Sequence, residues 1–213
     1  MQRFVNEAGE VDYDGFKKAQ IELNDYLKIL SANHPNQNWK KNERLAFWIN
    51  AYNAFTVKLI IQHYPIKSIK ELGGSIYKIN TPWDIKFIKI GDKIYDLNNI
   101  EHDIIRKEFN EPRIHFALNC ASVSCPKLRN EAYVGKQLDA QLQDQTSSFL
   151  NNPTKNNIQV ESAQLSKLFR WYKGDFEEEN TSVIDFINRY ANVKITKKTA
   201  ITFLDYDWNL NEK

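Results

Sequence analysis

Residues 42–65 read NERLAFWINAYNAFTVKLIIQHYP, which is the longest helical pattern in the chain. Apolar side chains recur through this stretch at the three- and four-residue spacing of a helix, and Pro65 cannot continue it. We therefore predict a helix over about 42–64. At about 100° per residue, one strip of this helix is the plausible solvent face, and it contains Arg44, Ala51, Lys58 and Gln62.

Three polar side chains of the same helix, Glu43, Asn50 and Asn53, lie outside the solvent strip. The two asparagines fall among apolar residues. Burying an amide without partners costs about 1–3 kcal/mol, so inward amides indicate a polar network, the cavity of a site, or bonds to the backbone of a neighbouring loop. We predict that Asn50 and Asn53 lie in the interior, beside the loop that begins at Cys120.

The remaining patterns are shorter and mix helices with strands. Helices are predicted near 15–31, at 66–72, from Asn98 onward, and near 136–150, 163–173 and 181–191. Strands are predicted at 87–90, 94–97, 114–119, 157–161 and 200–204. Asn98 followed three residues later by Glu101 has the spacing of a capping box. No linker, repeat or charge block divides the chain, so we predict a single domain over 1–213. Its class is α+β, with several helices packed around a small, mostly antiparallel sheet.

The composition narrows the class of protein. The 213 residues are 42% hydrophobic and 13% aromatic, which is enough for a sizeable core. The formal net charge is only +2 and the basic residues are dispersed, so a nucleic-acid-binding surface is not indicated. No apolar run reaches the roughly 18 residues of a membrane span. The two cysteines and four histidines match no zinc spacing, and we expect no metal and no cofactor.

The residues best suited to chemistry lie in the stretch IHFALNCASVSCP at 114–126, which contains His115, Asn119, Cys120 and Cys125. A thiol nucleophile needs a base within hydrogen-bonding reach, and His115 or the earlier His102 could supply it. Strand alternation puts Cys120 on the face opposite His115 unless the chain turns just before the cysteine. The structural alternative is a pair of buried small side chains or a disulfide.

Aromatic residues are concentrated toward the carboxyl end of the chain. Trp171 and Tyr172 close a predicted helix, and Tyr206 and Trp208 follow the last predicted strand. Such a group either forms a wall against which a ligand binds or belongs to the core. We take Trp171 and Tyr206 as candidate binding residues.

Several long motifs resemble a known family. They are AFWINAYNA at 46–54, LNNIEH at 97–102, and HFALNCAS at 115–122 with Cys125 and Pro126. Segments 11–13, 168–172 and 205–208 are similar to the family's flanking segments. By this resemblance the sequence is identified as a member of the domain-of-unknown-function family numbered 547, in which glycine is common at the position of Ser124.

The activity of that family is not established, so the resemblance implies no reaction. Bacterial members often carry export signals. The resemblance therefore implies a protein of the periplasm or cell envelope whose leader has been removed, and a cytoplasmic location is the alternative.

Two functions remain open from the sequence. The first is a non-catalytic binding or scaffold domain of the envelope with a buried network of Asn, His and Glu side chains and a small molecule or peptide as ligand. The second is a thiol hydrolase or acyltransferase, broadly similar to the papain and transglutaminase class, that acts on an amide or ester. Cys120 or Cys125 would attack, and His115 or His102 would act as the base. The groups that would orient the base or hold the oxyanion are Glu43, Asn50, Asn53 and Asn119. No oligomeric state is predicted.

Overall fold

One long helix runs through the centre of the computed structural model, which describes residues 1–73, 81–177 and 181–213. The first three helices are α1 (Tyr13–Lys18), α2 (Gln20–Ala32) and α3 (Lys41–His63). The predicted long helix is confirmed as α3, against which α1 and α2 pack. The predicted solvent strip is wrong at Ala51, which is fully buried. The reason is that other elements cover most of the circumference of α3, so most of its side chains are buried.

The predicted helix near 15–31 is divided into two. Asp12 caps α1, because its carboxylate accepts a hydrogen bond from the backbone N–H of Gly15 at 2.7 Å. The backbone leaves the helical conformation at Ala19, and α2 begins at the next residue. Leu23, Leu27 and Leu30 recur at spacings of four and three and form the buried face of α2.

The predicted β-hairpin is confirmed as strands β1 (Ile88–Ile90) and β2 (Lys93–Tyr95), which pair antiparallel. Gly91 makes the turn with φ +58°, in the left-handed region that glycine adopts without strain. A β-carbon at this position would also lie 2.8 Å from the ring of His34. After the hairpin in the chain, a π-helix over Asn99–Ile105 continues into α4 (Arg106–Glu108).

The predicted strand at 114–119 is wrong, because a 3₁₀ helix over Pro112–Phe116 occupies its first half. Pro112 stands at the start of this turn, and the Glu111 side chain accepts a hydrogen bond from the N–H of Arg113. The period-two pattern misled because all six residues from 114 to 119 are buried. Their alternating chemistry therefore does not mark one buried and one exposed face of a strand.

The carboxyl-terminal half contains α5 (Leu138–Leu150), α6 (Leu168–Trp171), α7 (Lys173–Phe176) and α8 (Val183–Tyr190). Strands β3 (Asn157–Ile158), β4 (Ser162–Leu165) and β5 (Ala200–Phe203) form a sheet in the order β3-β4-β5. The first pair is antiparallel and the second is parallel. The predicted helix near 163–173 is wrong at its beginning, because residues 162–165 form β4, with Ala163 and Leu165 buried on one face.

The described residues form two apolar cores, and the architecture is α+β. The first core surrounds α3, and the second is centred on Phe116, which contacts the rings of Phe149, Phe169 and Phe176. The 3₁₀ helix before Ala117 joins the cores, because Ile114 belongs to the first. Within the described ranges, none of the helices combines the length and apolar character that a membrane crossing requires.

Candidate functional site

A cleft of about 280 Å³ opens where the two cores meet. Six aromatic side chains line it, namely Tyr52, Trp83, Trp171, Tyr172, Tyr206 and Trp208. Its polar lining includes Asn98, Glu101, His102, His115 and the two cysteines. We call this space the aromatic cleft. Its composition, apolar with a few polar groups, is typical of small-molecule sites.

Glu101 is the buried carboxylate of the aromatic cleft and is only 6% exposed. The predicted capping box with Asn98 is wrong. Asp96 caps this helical turn instead, accepting a hydrogen bond from the N–H of Asn99 at 2.6 Å, and the Asn98 amide donates to Asp84. Glu101 is thereby free to contribute its carboxylate to the cleft. It lies in a π-helical turn, a geometry often found at functional sites.

Two tyrosines lie close to the Glu101 carboxylate, the fully buried Tyr52 and the half-buried Tyr172. The Tyr172 hydroxyl donates a hydrogen bond to Glu101 Oε1 at 2.7 Å. Burial raises the pKa of Tyr172 far above its usual value, and the negative charge of Glu101 adds to the rise. The pKa of Tyr52 is raised by the same causes. Both phenols therefore keep their protons at neutral pH.

Behind Tyr172 lies an ion-pair cluster built from three distant parts of the chain. Arg106 donates to both oxygens of Asp175, each at 2.6 Å, and His115 Nε2 lies 2.7 Å from Asp175 Oδ2. The His115 ring stacks on Tyr172 with 3.9 Å between centroids. Arg106 also contacts His102, with its Nη1 3.0 Å from Nδ1. A guanidinium only donates, so Nδ1 of His102 accepts and Nε2 carries the ring proton.

The cluster stabilises Asp175 in its charged form. Burial opposes ionisation, but hydrogen bonds from Arg106 and His115 outweigh it and hold the pKa of Asp175 well below its usual range. The His115 side chain is 1% exposed. Its position indicates that it orients Tyr172 and Asp175 more readily than it meets a substrate.

Cys120 and Cys125 form a disulfide that closes the cysteine loop, residues 120–125, at the edge of the aromatic cleft. This arrangement does not fit the hypothesis of a thiol nucleophile, because a bridged sulfur is not a thiolate. Tyr206 Oη lies 3.3 Å from Cys125 Sγ and 3.4 Å from Cys120 Sγ. Among the described residues, the polar neighbours of the two sulfurs do not include a histidine.

Two asparagines hold the cysteine loop in place. Asn53 donates to the carbonyl of Ala117 and accepts from the N–H of Asn119, both at 2.8 Å. The Asn119 side chain accepts from Ala121 N–H at 2.9 Å and donates to the Pro126 carbonyl at 2.7 Å. These bonds hold Ala121 at φ +60°, which is rare for a residue with a side chain. Asn53 thus lies beside the loop as predicted. The side-chain amides of Asn53 and Asn119 both form hydrogen bonds with backbone groups.

The loop also binds the last segment of the chain, which brings Tyr206 and Trp208 to the cleft. Ser124 N donates to the carbonyl of Asp207 at 3.1 Å, and Ser124 Oγ accepts from Asp207 N at 2.8 Å. Ser122 forms a β-bridge with Leu210. The serine at the position of the common glycine therefore contributes a hydrogen bond that glycine could not make.

Two of the predicted site residues, Glu43 and Asn50, contact neither the cleft nor the cysteine loop. Glu43 accepts a hydrogen bond from Lys40 N at 2.9 Å and caps the start of α3. Asn50 pairs with both backbone groups of Tyr133, at 2.8 and 2.9 Å, and so serves a different loop from Asn53. Both asparagines also line a second cavity of about 320 Å³ beneath the amino-terminal segment. The structure places neither Glu43 nor Asn50 in the aromatic cleft, and Asn53 and Asn119 support the cysteine loop without lining the cleft themselves.

The aromatic wall of the cleft is a packed group of rings. Ring centroids of Tyr206 lie 4.8 Å from Trp171 and 4.5 Å from Trp208, and Trp83 meets Trp208 edge-on at 5.8 Å. Trp171 is 46% exposed at the mouth. Burial raises the pKa of Tyr206 to about 12, so it also stays protonated at neutral pH.

The sequence patterns did not indicate Trp83, Arg106 or Asp175 as members of the site. The sequence indicates Glu101 only as a capping residue, although it stands directly before the candidate base His102. Within the described ranges no group of three His, Cys, Asp or Glu side chains is arranged to hold a metal ion.

The fold and site define an α+β protein with a disulfide-closed loop beside an aromatic cleft. The model of the family described as "Protein of unknown function, DUF547" matches residues 36–150, which is more than half of the chain. The chain belongs to this family. The match includes α3, the Glu101 turn and the cysteine loop. No curated protein and no solved structure matches the chain.

Proposed function

We propose that this protein is a non-catalytic domain that binds a small ligand in the aromatic cleft. The observation that supports it most is the composition of the cleft, in which an aromatic wall faces the buried carboxylate of Glu101. Apolar surface provides the affinity of such sites, and a few polar groups fix the orientation of the ligand. The His, Asn and Asp side chains around the cleft bind one another or the backbone, as a structural network requires.

The alternative of a thiol hydrolase or acyltransferase has less support. It requires a reduced cysteine with a histidine in reach. The disulfide occupies both sulfurs, and His115 Nε2 is engaged by Asp175. His102 is likewise held by Arg106 through Nδ1.

We test ligand binding through the tryptophans, because three of the five line the cleft. In a screen of small cationic, anionic and neutral compounds, we expect hits that change the tryptophan fluorescence of the native protein. Trp171→Leu should weaken these hits by about tenfold, since an aromatic contact is worth about 1 kcal/mol or more. The thermal midpoint should stay near wild type, because Trp171 is half exposed.

Trp39→Leu is the matched control, since Trp39 packs on Phe47 and does not line the cleft. It should leave the affinities unchanged. A screen without hits, or hits that both variants weaken equally, would contradict the proposed site.

We also propose that the protein works in the cell envelope. The disulfide supports this location, because such bonds persist in oxidising compartments and are rare in the cytosol. Denatured protein purified without reductant should therefore contain no reactive thiol, and two after reduction.

The double variant Cys120→Ala with Cys125→Ala should lose about 2 kcal/mol of unfolding free energy, from the loop entropy of so short a bridge. Urea denaturation of variant and wild type without reductant measures the loss. Wild-type protein with reductant is the control and should match the variant. Equal stability of oxidised wild type and variant would show that the bridge does not stabilise the fold.

A further inference from the structure

The Glu101 carboxylate is buried without a cationic partner among the described residues. Its hydrogen-bond donor is the neutral Tyr172 hydroxyl, and no described Lys, Arg or His nitrogen lies within 4 Å of it as an ion pair. The nearby guanidinium of Arg106 is bound by both oxygens of Asp175. A buried charge is unfavourable unless it is paired. The cleft therefore lacks a positive charge next to Glu101, and a ligand can supply it.

The aromatic wall is suited to the same kind of ligand. The faces of Trp and Tyr rings attract cations, and sites for ammonium groups combine several such rings. Trp171, Tyr206 and Trp208 form a continuous aromatic surface in the cleft that also contains Glu101. The chain itself shows this interaction, since Lys70 Nζ lies 3.8 Å from the ring centroid of Trp208.

The charges around the cleft favour a cation over an anion. Arg106 and Asp175 neutralise one another, and Glu101 is the remaining buried charge of the lining. Lys70 is exposed, so solvent and salt screen its charge more strongly than that of Glu101. An anionic ligand would be repelled by the Glu101 carboxylate, whose charge is only weakly screened. A neutral ligand would leave that carboxylate without a positively charged partner.

We propose that the aromatic cleft recognises a small organic cation, whose ammonium group pairs with Glu101 and contacts the rings of Trp171 and Tyr206. This inference rests on the proposed function and names the chemical class of its ligand. The cleft volume of about 280 Å³ limits the ligand to a compact molecule.

The test compares choline and ethanolamine with neohexanol, in which carbon replaces the charged nitrogen of choline. Binding to the native protein is measured by ligand-observed NMR and by tryptophan fluorescence. We expect at least one of the two cations to bind about tenfold or more tightly than neohexanol, because cation–π contact and the carboxylate both act on the charge. This comparison needs no variant.

Glu101→Gln removes the charge and keeps an acceptor for Tyr172. It should abolish the preference for the cation, and neohexanol should bind at least as tightly as it does to the wild type, because the neutral ligand no longer leaves a buried charge unpaired. Glu108→Gln is the matched control, since Glu108 is a carboxylate of the same helical segment that pairs with Arg44 and does not line the cleft. It should retain the preference.

Equal or weaker binding of both cations relative to neohexanol would overturn the cation inference. So would a Glu101→Gln protein that keeps the preference. Neutral or anionic hits from the wider screen, obtained while both cations fail, would leave the proposed binding function intact. Absence of any hit in that screen would overturn both.

Discussion

Asp175→Ala is expected to lower the free energy of unfolding by about 3 kcal/mol. Asp175 accepts from Arg106 through both oxygens and from His115 through one. Hydrogen bonds to charged groups contribute about 1.5–3 kcal/mol each. The His115 ring has almost no access to water, so its Nε2 proton would be left without a partner. Arg106 is 30% exposed and can regain water, which limits the total loss.

The effect of Asp175 should depend on pH in a defined direction. Its folded-state pKa lies below the ordinary value, which is about 3.9. Its stabilisation is therefore fully present above about pH 5 and is lost as the pH falls through the folded-state pKa. The difference between wild type and Asp175→Ala should be constant from about pH 5 to 8 and should shrink below about pH 4.

Urea denaturation across this pH range measures both effects. Asp205→Ala is the control, because Asp205 is fully exposed and pairs with Lys167 at the surface. It should leave stability nearly unchanged at every pH. Asp175→Asn, which keeps the shape without the charge, should fall between wild type and Asp175→Ala. If Asp175→Ala were as stable as Asp205→Ala, the cluster would have no structural role.

The elements that the sequence predicts well are those with strong local signals. The long helix α3 has many apolar positions and ends before Pro65, and the hairpin has Gly91 between two alternating runs. Local signals of this kind act over a few residues and do not depend on the rest of the fold. The structure therefore agrees with the sequence pattern for both the long helix and the hairpin.

The sequence predictions are wrong for segments whose side chains are buried on all sides. The segment 114–119 alternates in residue type, yet every position is buried because it joins the two cores. The solvent strip of α3 failed at Ala51 for the same reason. Alternation over a few residues distinguishes the two faces of a strand only when one face is buried and the other meets water.

The sequence predicts only those parts of the candidate site that are close together along the chain. The cysteine loop and its histidine stand together in the sequence, but Asp175 lies 60 residues from His115, and Tyr172 lies 71 residues from Glu101. Tertiary packing brings these groups together, and no short motif records their distance. The sequence likewise does not decide whether the two cysteines are free thiols or a disulfide, because their spacing allows both.

Asn53→Leu is expected to lower the free energy of unfolding by about 4 kcal/mol. Leucine has a similar size, so the change removes hydrogen bonds with little change in volume. The carbonyl of Ala117 and the N–H of Asn119 would both be left unpaired in the interior. Each such group costs about 1–3 kcal/mol. The cysteine loop beside the aromatic cleft would lose its main support from α3.

The matched control is Asn50→Leu, because Asn50 makes the same pair of bonds on the same helix, but to Tyr133. Asn50 is only half-buried, so water can replace part of what is lost, and the cost should be about half as large. Thermal denaturation measures the stability of both variants. The change in tryptophan fluorescence caused by the compounds found in the screen measures ligand binding in the cleft. Only Asn53→Leu should weaken the hits, since only Asn53 supports the cysteine loop. A stable Asn53→Leu protein, or an equal loss of binding in both variants, would show that Asn53 does not position the cleft.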